Sequence, residues 1–186
     1  MFIVQPCLKS GFMGINMSQP FIAILMSSDS DLPVMKASAD VLKSLGIAFE
    51  MKVSSAHRTP VQTQDYVKHA DERGAVAFIC AAGMAAHLAG AVAANTIKPV
   101  IGVPINASLD GLDALLSTVQ MPGGLPVATV AIGKAGAKNA AYLAAQIMAV
   151  SDVTLAQRLR DERQANIDSV LAKDAALQEQ LKNGEI

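Results

Sequence analysis

From Phe21 onward the chain alternates two kinds of pattern. Short runs that are apolar throughout, such as FIAILM (21–26), suit strands covered on both faces. Between them lie longer stretches with apolar residues every three or four positions. In LPVMKASADVLKSLG (32–46), Val34, Ala37, Val41, Leu42 and Leu45 fall at helical spacing. Ser30 or Asp31 is placed to cap that helix, Pro33 suits its first turn and Gly46 ends it. The same patterns predict strands at 47–53, 75–81, 99–105 and 127–133, and helices at 61–74, 82–97, 112–121 and 134–150. Five strands separated by helices imply parallel βαβ units. The predicted fold is therefore α/β, a three-layer αβα sandwich around a five-stranded parallel sheet.

The two ends of the chain read differently. Residues 1–19 show no periodic pattern and are expected to be a disordered extension, with Met13 and Met17 as alternative starts. The αβα domain is expected at 20–151. Residues 152–186 are charged and amphipathic, with Leu155, Leu159, Ile167, Val170 and Leu171 near one stripe. This helical tail has no strand to cover, and it is expected to pack on a neighbouring subunit and then fray.

Composition narrows the function classes. Charged residues are 17% of the chain against about 25% in typical domains, and apolar residues are 52%. So few charges suggest a homo-oligomer with a large apolar interface. Lysine plus arginine number 15 and aspartate plus glutamate 16, which leaves no basic footprint for nucleic acid. Aromatic residues are 4%, so platforms for stacking bases are not expected. No apolar run reaches the roughly 18 residues that span a bilayer without polar interruption. Cys7 and Cys80 do not form a disulfide framework, and Cys80 sits in an apolar run as a small core residue, which fits a reducing cytoplasm.

Ligands of open parallel sheets bind beyond the carboxyl ends of the strands, and three unusual segments fall there. SSDSD (27–31) offers Ser28 and Ser30 to a phosphate beside a helix N-terminus, and Asp31 to the hydroxyls of a ribose; its other reading is plain helix capping. SSAHRTP (54–60) offers Arg58 as a planar clamp for phosphate. It also carries His57, of a residue type that titrates near ~6.5 and exchanges protons at neutral pH. Pro60 is expected to start a helix whose free N–H groups point into the same pocket, and the alternative is a surface arginine beside a capping Thr59 and a structural histidine. AAGMAAHLAG (81–90) has little bulk, so a ligand can approach the backbone near Gly83, or the small residues simply pack helix against sheet. His87 is expected to support the pocket, whereas His69, inside a polar helix, is expected to be solvated. No metal set, Walker loop, dinucleotide glycine pattern or serine nucleophile elbow appears in the sequence, and no cofactor is expected.

Taken together, SDSD, SAHRTP, AAHLAG, PVIGVP and the segment GLDALLSTVQMPGGLPVATVAIGKAGAKNAAYLAAQI resemble the class I N(5)-carboxyaminoimidazole ribonucleotide mutases of purine biosynthesis, in order and across about 21–150. The resemblance implies a flavodoxin-like fold, a homo-octamer and a cofactor-free shift of a carboxylate from an exocyclic nitrogen to ring carbon 4 through enclosed CO2. It implies His57 as the catalytic acid/base and Ser28, Asp31, Ser55 and Arg58 as phosphate and ribose contacts, with Gly83 and His87 beside them. Against the family pattern, Ser27, Ala81 and Met84 stand where glycines are usual, Ala89 replaces a proline, and the loop INASLDG is one residue shorter. Met84 is positioned either to crowd the pocket or to act as a flexible lid. The related class that carboxylates aminoimidazole ribonucleotide directly resembles this chain less, having lysine at the position of Arg58. A flavin- or nucleotide-binding module and an inactive paralogue are the remaining readings of the same fold.

Overall fold

A computed structural model of the chain describes residues 19–186. The expectations placed on residues 1–18, with Cys7, Met13 and Met17, lie outside the described residues. The strands are β1 (Phe21–Met26), β2 (Ala48–Val53), β3 (Ala75–Gly83), β4 (Val100–Ile105) and β5 (Ala128–Thr129). They form one parallel sheet in the order β2-β1-β3-β4-β5. The helices are α1 (Leu32–Ser44), α2 (Pro60–Glu72), α3 (Leu88–Ala93), α4 (Leu112–Val119), α5 (Gly133–Ala149) and α6 (Val153–Lys182).

The alternating side chains of β1 explain why its sequence is apolar throughout. Ile22, Ile24 and Met26 face a core that includes Met35 and Leu42 of α1 and Ala137, Ala141 and Ala144 of α5. Phe21, Ala23 and Leu25 face the opposite core, built with Val67 of α2, Leu88 and Val92 of α3 and Ala114 of α4. The sheet is thus covered on both faces, as parallel sheets require. The alanines of α5 let it lie close to α1, where the buried Ser38 hydroxyl donates to the Ala137 carbonyl at 2.5 Å.

Three elements differ from the sequence expectation. The helix expected over 82–97 is reduced to Leu88–Ala93. Ala82 and Gly83 instead extend β3 against Pro104 and Ile105, and Met84 then turns the chain with φ +55°. The strand expected over 127–133 pairs only at Ala128–Thr129, with one further bond from Val130 N–H to the Gly102 carbonyl. The chain leaves the sheet there to start α5. The Ala131 carbonyl passes so close to Gly136 that a Cβ on that glycine would lie 1.5 Å from the oxygen.

The tail is one helix to Lys182 rather than a fraying segment. Asp152 caps it, accepting from the N–H groups of Thr154 and Leu155. Its first turns are anchored: Leu155 is buried, Arg158 donates to the Leu45 carbonyl at 2.5 Å, and Tyr142 donates to Glu162. Burial and that carboxylate push the Tyr142 phenol up to about 12. Farther along, Ile167, Val170 and Leu171 are exposed, so within this chain only the beginning of the expected stripe is covered.

Gly136→Ala is expected to destabilise the domain by about 1–3 kcal/mol or more, as overpacking against an unyielding carbonyl does. A fall in the urea midpoint with an unchanged slope is the expected result; an unchanged midpoint would show that the chain at Ala131 moves aside freely.

Candidate active site

The sheet order puts the carboxyl ends of β2, β1 and β3 side by side, so the loops that follow them meet. They enclose a cavity of about 540 Å3, within the usual range of small-molecule sites. Ser28, Asp31, Ser55, His57, Arg58, Gly83 and His87 all line it. His69 lies apart and exposed on α2. Among the described residues, the aromatic rings lining the cavity are the two imidazoles.

After β1 the chain makes a 3-10 turn, Asp29–Asp31, before entering α1. Ser28 caps that turn by accepting from the Ser30 N–H at 3.2 Å. Asp31 closes the reciprocal half of the capping box: its Oδ2 accepts from the Ser28 N–H at 3.1 Å and from the Ser27 hydroxyl at 3.0 Å. Capping and site-building are therefore the same arrangement here. Asp31 is only 5% exposed, and because both bonds go to Oδ2, Oδ1 is left for hydroxyl donors of a ligand. Ser27 was not assigned a binding role from the sequence; its part is to orient this carboxylate.

After β2, the loop 54–59 is held by its own hydroxyls. Ser55 N–H donates to Thr59 Oγ1 at 2.9 Å, Thr59 N–H donates back to the Ser55 carbonyl at 2.9 Å, and Arg58 N–H donates to Ser55 Oγ at 3.2 Å. Beneath them the buried hydroxyls of Ser54 and Thr63 meet at 2.7 Å. Thr63 Oγ1 also donates to the Thr59 carbonyl at 2.8 Å. It has one hydrogen, so Ser54 is the donor in the first bond. Thr59 is thus occupied in bracing the loop and does not cap α2 through its side chain. The expectation that the N-terminus of α2 points into the main cavity is not met: Pro60, Val61 and Thr63 line a separate depression against Ala91 and Ala94. Thr63 turns inward to satisfy the loop.

The bracing leaves His57 and Arg58 displayed. Arg58 reaches across to the first loop, donating to the Ser27 carbonyl at 3.4 Å, and among the described residues it is the one lysine or arginine lining the cavity. His57 meets His87 from the third loop, Nε2 to Nδ1 at 2.9 Å, with the rings edge to face and centroids 5.0 Å apart. One hydrogen lies between those nitrogens. Two imidazolium rings would oppose N–H to N–H, so this arrangement holds no more than one added proton.

The third loop is made of backbone and small side chains. Gly83 is tightly fitted: a Cβ there would lie 2.9 Å from the Ala107 Cβ and 3.2 Å from the Ile105 carbonyl. Ala107, from the loop after β4, also reaches the cavity, a contribution that no sequence motif announced. Met84 carries φ +55°, a region that costs a long side chain on the order of 1–3 kcal/mol.

The chain is similar to known proteins over most of its length. Residues 21–169 match the family model described as AIR carboxylase. The chain is 51% identical over 154 residues to the N5-carboxyaminoimidazole ribonucleotide mutase of Bacillus subtilis, covering 82% of this chain and 95% of the relative. It is 50% identical over 151 residues to the mutase of Escherichia coli K12, covering 81% and 89%. A crystal structure of Treponema denticola PurE superposes with a TM-score of 0.77 at 30% identity, over 86% of this chain and 99% of that one.

Thr63→Val removes the relay under the loop. It is expected to cost about 1–3 kcal/mol, since Ser54 and the Thr59 carbonyl both lose a buried partner. Combined with Ser54→Ala, thermal unfolding should show a coupling of about 0.5–3 kcal/mol; strictly additive losses would mean that the two hydroxyls act separately.

Proposed function

The chain belongs to the AIR carboxylase family, and from that premise we propose how its cavity works as an N5-carboxyaminoimidazole ribonucleotide mutase. The enzyme is an isomerase of purine biosynthesis: it moves a carboxylate from the exocyclic nitrogen of the ribonucleotide to carbon 4 of the ring. The observation that carries the assignment of roles is the meeting of one imidazole pair, one guanidinium and one buried carboxylate in a single cavity.

Arg58 receives the phosphate, its planar fork donating to two of the phosphate oxygens at once. Ser28 and Ser55 add hydroxyl bonds, and their present bonds to neighbouring groups keep both oxygens oriented. Asp31 accepts from the ribose hydroxyls; a carboxylate there repels the phosphate and so helps set which end of the substrate enters first. The Gly83 segment lets the base lie against backbone.

The chemistry needs one proton moved twice. His57 donates to the exocyclic nitrogen as the bond from nitrogen to the carboxyl carbon breaks, and neutral CO2 is released within the cavity. Carbon 4 then attacks the CO2 carbon, and the proton leaving carbon 4 returns to His57. The exchange is balanced without an outside oxidant or base. His87 holds the ring of His57 and takes part of the charge while the proton is in transit. Acid–base catalysis of this kind contributes on the order of 10²–10⁴-fold, and positioning by Arg58 and Asp31 supplies more.

The working form in this reading is a cytoplasmic homo-octamer organised as an αβα domain at 20–151 with a helical tail at 152–186. Exposed Val61, Ile97, Val150 and Val153 support burial against other copies. Among the described residues no helix is long and apolar enough to cross a membrane. Burial raises the Cys80 thiol well above its ordinary value, so it stays an inert core group in a reducing compartment.

An ultraviolet assay without ATP or added metal tests the reaction. The N-carboxylated ribonucleotide alone should give the carbon 4 carboxylate rapidly. Turnover confined to the parent ribonucleotide with bicarbonate would make the chain a direct carboxylase, and no turnover from either would point to a silenced site. His57→Asn should lose on the order of 10²-fold or more in kcat while still binding the nucleotide; a wild-type rate would remove His57 from the proton path. Arg58→Ala should raise KM far more than it lowers kcat, and the reverse pattern would take Arg58 out of the phosphate site.

A further inference from the structure

We propose that the groove between α1 and α5, closed at one end by Glu162 of α6, is a second binding site and that it takes an adenine nucleotide. The groove shares no lining residue with the main cavity. The inference does not depend on the mutase reading.

The groove has a volume of about 400 Å3, enough for a small molecule. From Pro33 to Ser44 along α1 it is about 16 Å long at the helical rise. The bond from Ser38 to the Ala137 carbonyl sets the two helices level. Lys36 of α1 and Lys134 and Lys138 of α5 therefore gather at the end where both helices begin, and Ser44, Tyr142 and Glu162 lie at the other. Among the described residues the ion pairs are Arg73 with Glu50 and Lys98 with Asp71, so none of these three lysines is paired. Asp40, one turn beyond Lys36, is unpaired as well. At the far end Tyr142 donates to one oxygen of Glu162. The other, Oε2, is buried and has no partner among the described residues. A buried carboxylate oxygen is costly until a donor reaches it.

These groups specify a ligand from both ends. Three ammonium groups around one groove call for more negative charge than a single carboxylate carries, and a diphosphate supplies it. The free Oε2 of Glu162 calls for an N–H donor. Between them the buried Ala37 and Val41 make an apolar floor, and Tyr142 is the aromatic ring among the lining residues. Asp40 is placed to accept from sugar hydroxyls. An adenine nucleotide carries phosphate, sugar, flat base and exocyclic amine in that order. An amino acid is too short to reach both ends and too weakly charged for the lysines. A hypoxanthine nucleotide has a carbonyl oxygen where adenine has its amine, and Glu162 repels it.

Titration calorimetry of the full chain at low salt tests this with ADP, IDP and inorganic pyrophosphate. ADP should bind at least roughly tenfold more tightly than either of the others, the margin of one hydrogen bond to a charged group. The lysines are exposed, so the affinity should fall as salt is added. Lys134→Gln combined with Lys138→Gln should abolish ADP binding and leave Tm and mutase turnover unchanged. Glu162→Gln should weaken ADP and strengthen IDP, because an amide can donate to the carbonyl oxygen. Arg58→Ala should bind ADP as wild type does. ADP binding that is lost in Arg58→Ala and kept in the lysine double variant would put the nucleotide in the main cavity and overturn the proposal. Equal affinity for ADP, IDP and pyrophosphate would reduce the groove to a patch of positive charge, and that too would overturn it, as would the absence of any binding. Turnover of the N-carboxylated ribonucleotide is measured separately, so the proposal and the mutase reading fail independently.

Discussion

Because β1 lies between β2 and β3, the chain must reverse its direction of travel across the sheet after β2, and the loops on either side of that reversal face one another. Residues 27–31, 54–59 and 84–87 are distant in sequence, yet parallel pairing brings them to one edge. Everything chemical in the molecule depends on this. Arg58 reaches the Ser27 carbonyl, and His57 reaches His87, only because their strands are fixed in register by Met26 with Val53 and by Met26 with Ala81. A slip of one residue in either pairing would turn the last side chains of a strand to the other face and separate the groups. The apolar double core that holds the register is therefore as much a part of the site as the polar residues displayed on it.

How legible each element was follows from what holds it. β1 and β4 have helices on both faces, and their unbroken apolar sequences show it. β5 has a single partner, and most of the stretch VATVAIG is spent lifting the chain toward α5; its alternation resembles a longer strand than exists. The segment 82–97 is rich in alanine and periodic enough for a helix. Strand pairing through Gly83 and the turn at Met84 override that local propensity. The tail was recognisable as an amphipathic helix, but no property of its sequence says where its stripe loses contact with the domain.

The site divides in the same way. Each residue singled out for binding lines the cavity, since unusual polar groups at the ends of apolar strands are visible in one dimension. The supporting bonds are tertiary and were not visible. Ser54 and Thr63 look like ordinary loop and helix hydroxyls until they are found buried at 2.7 Å, and Ser27 looks like a departure from a glycine until its bond to Asp31 is seen. Nothing in the spacing of 57 and 87 foretells an imidazole pair. The displayed residues can be read as chemistry, whereas the groups that aim them must be read as geometry.

The two kinds of residue also meet different energetic demands. Thr59, Ser55 and Asp31 accept from nearby backbone donors first, and this fixes their oxygens before any ligand arrives. A ligand then meets oriented groups and loses less entropy in ordering them. His57 is held differently, by a single bond to another imidazole rather than by a carboxylate. A carboxylate partner would hold the proton on the ring by charge and favour one direction of transfer. A second imidazole carries no negative charge and holds the ring in place with less bias, which suits the role proposed for His57. In the mechanism proposed above, the choice of partner for His57 is thus matched to a reaction whose two halves run in opposite protonic directions.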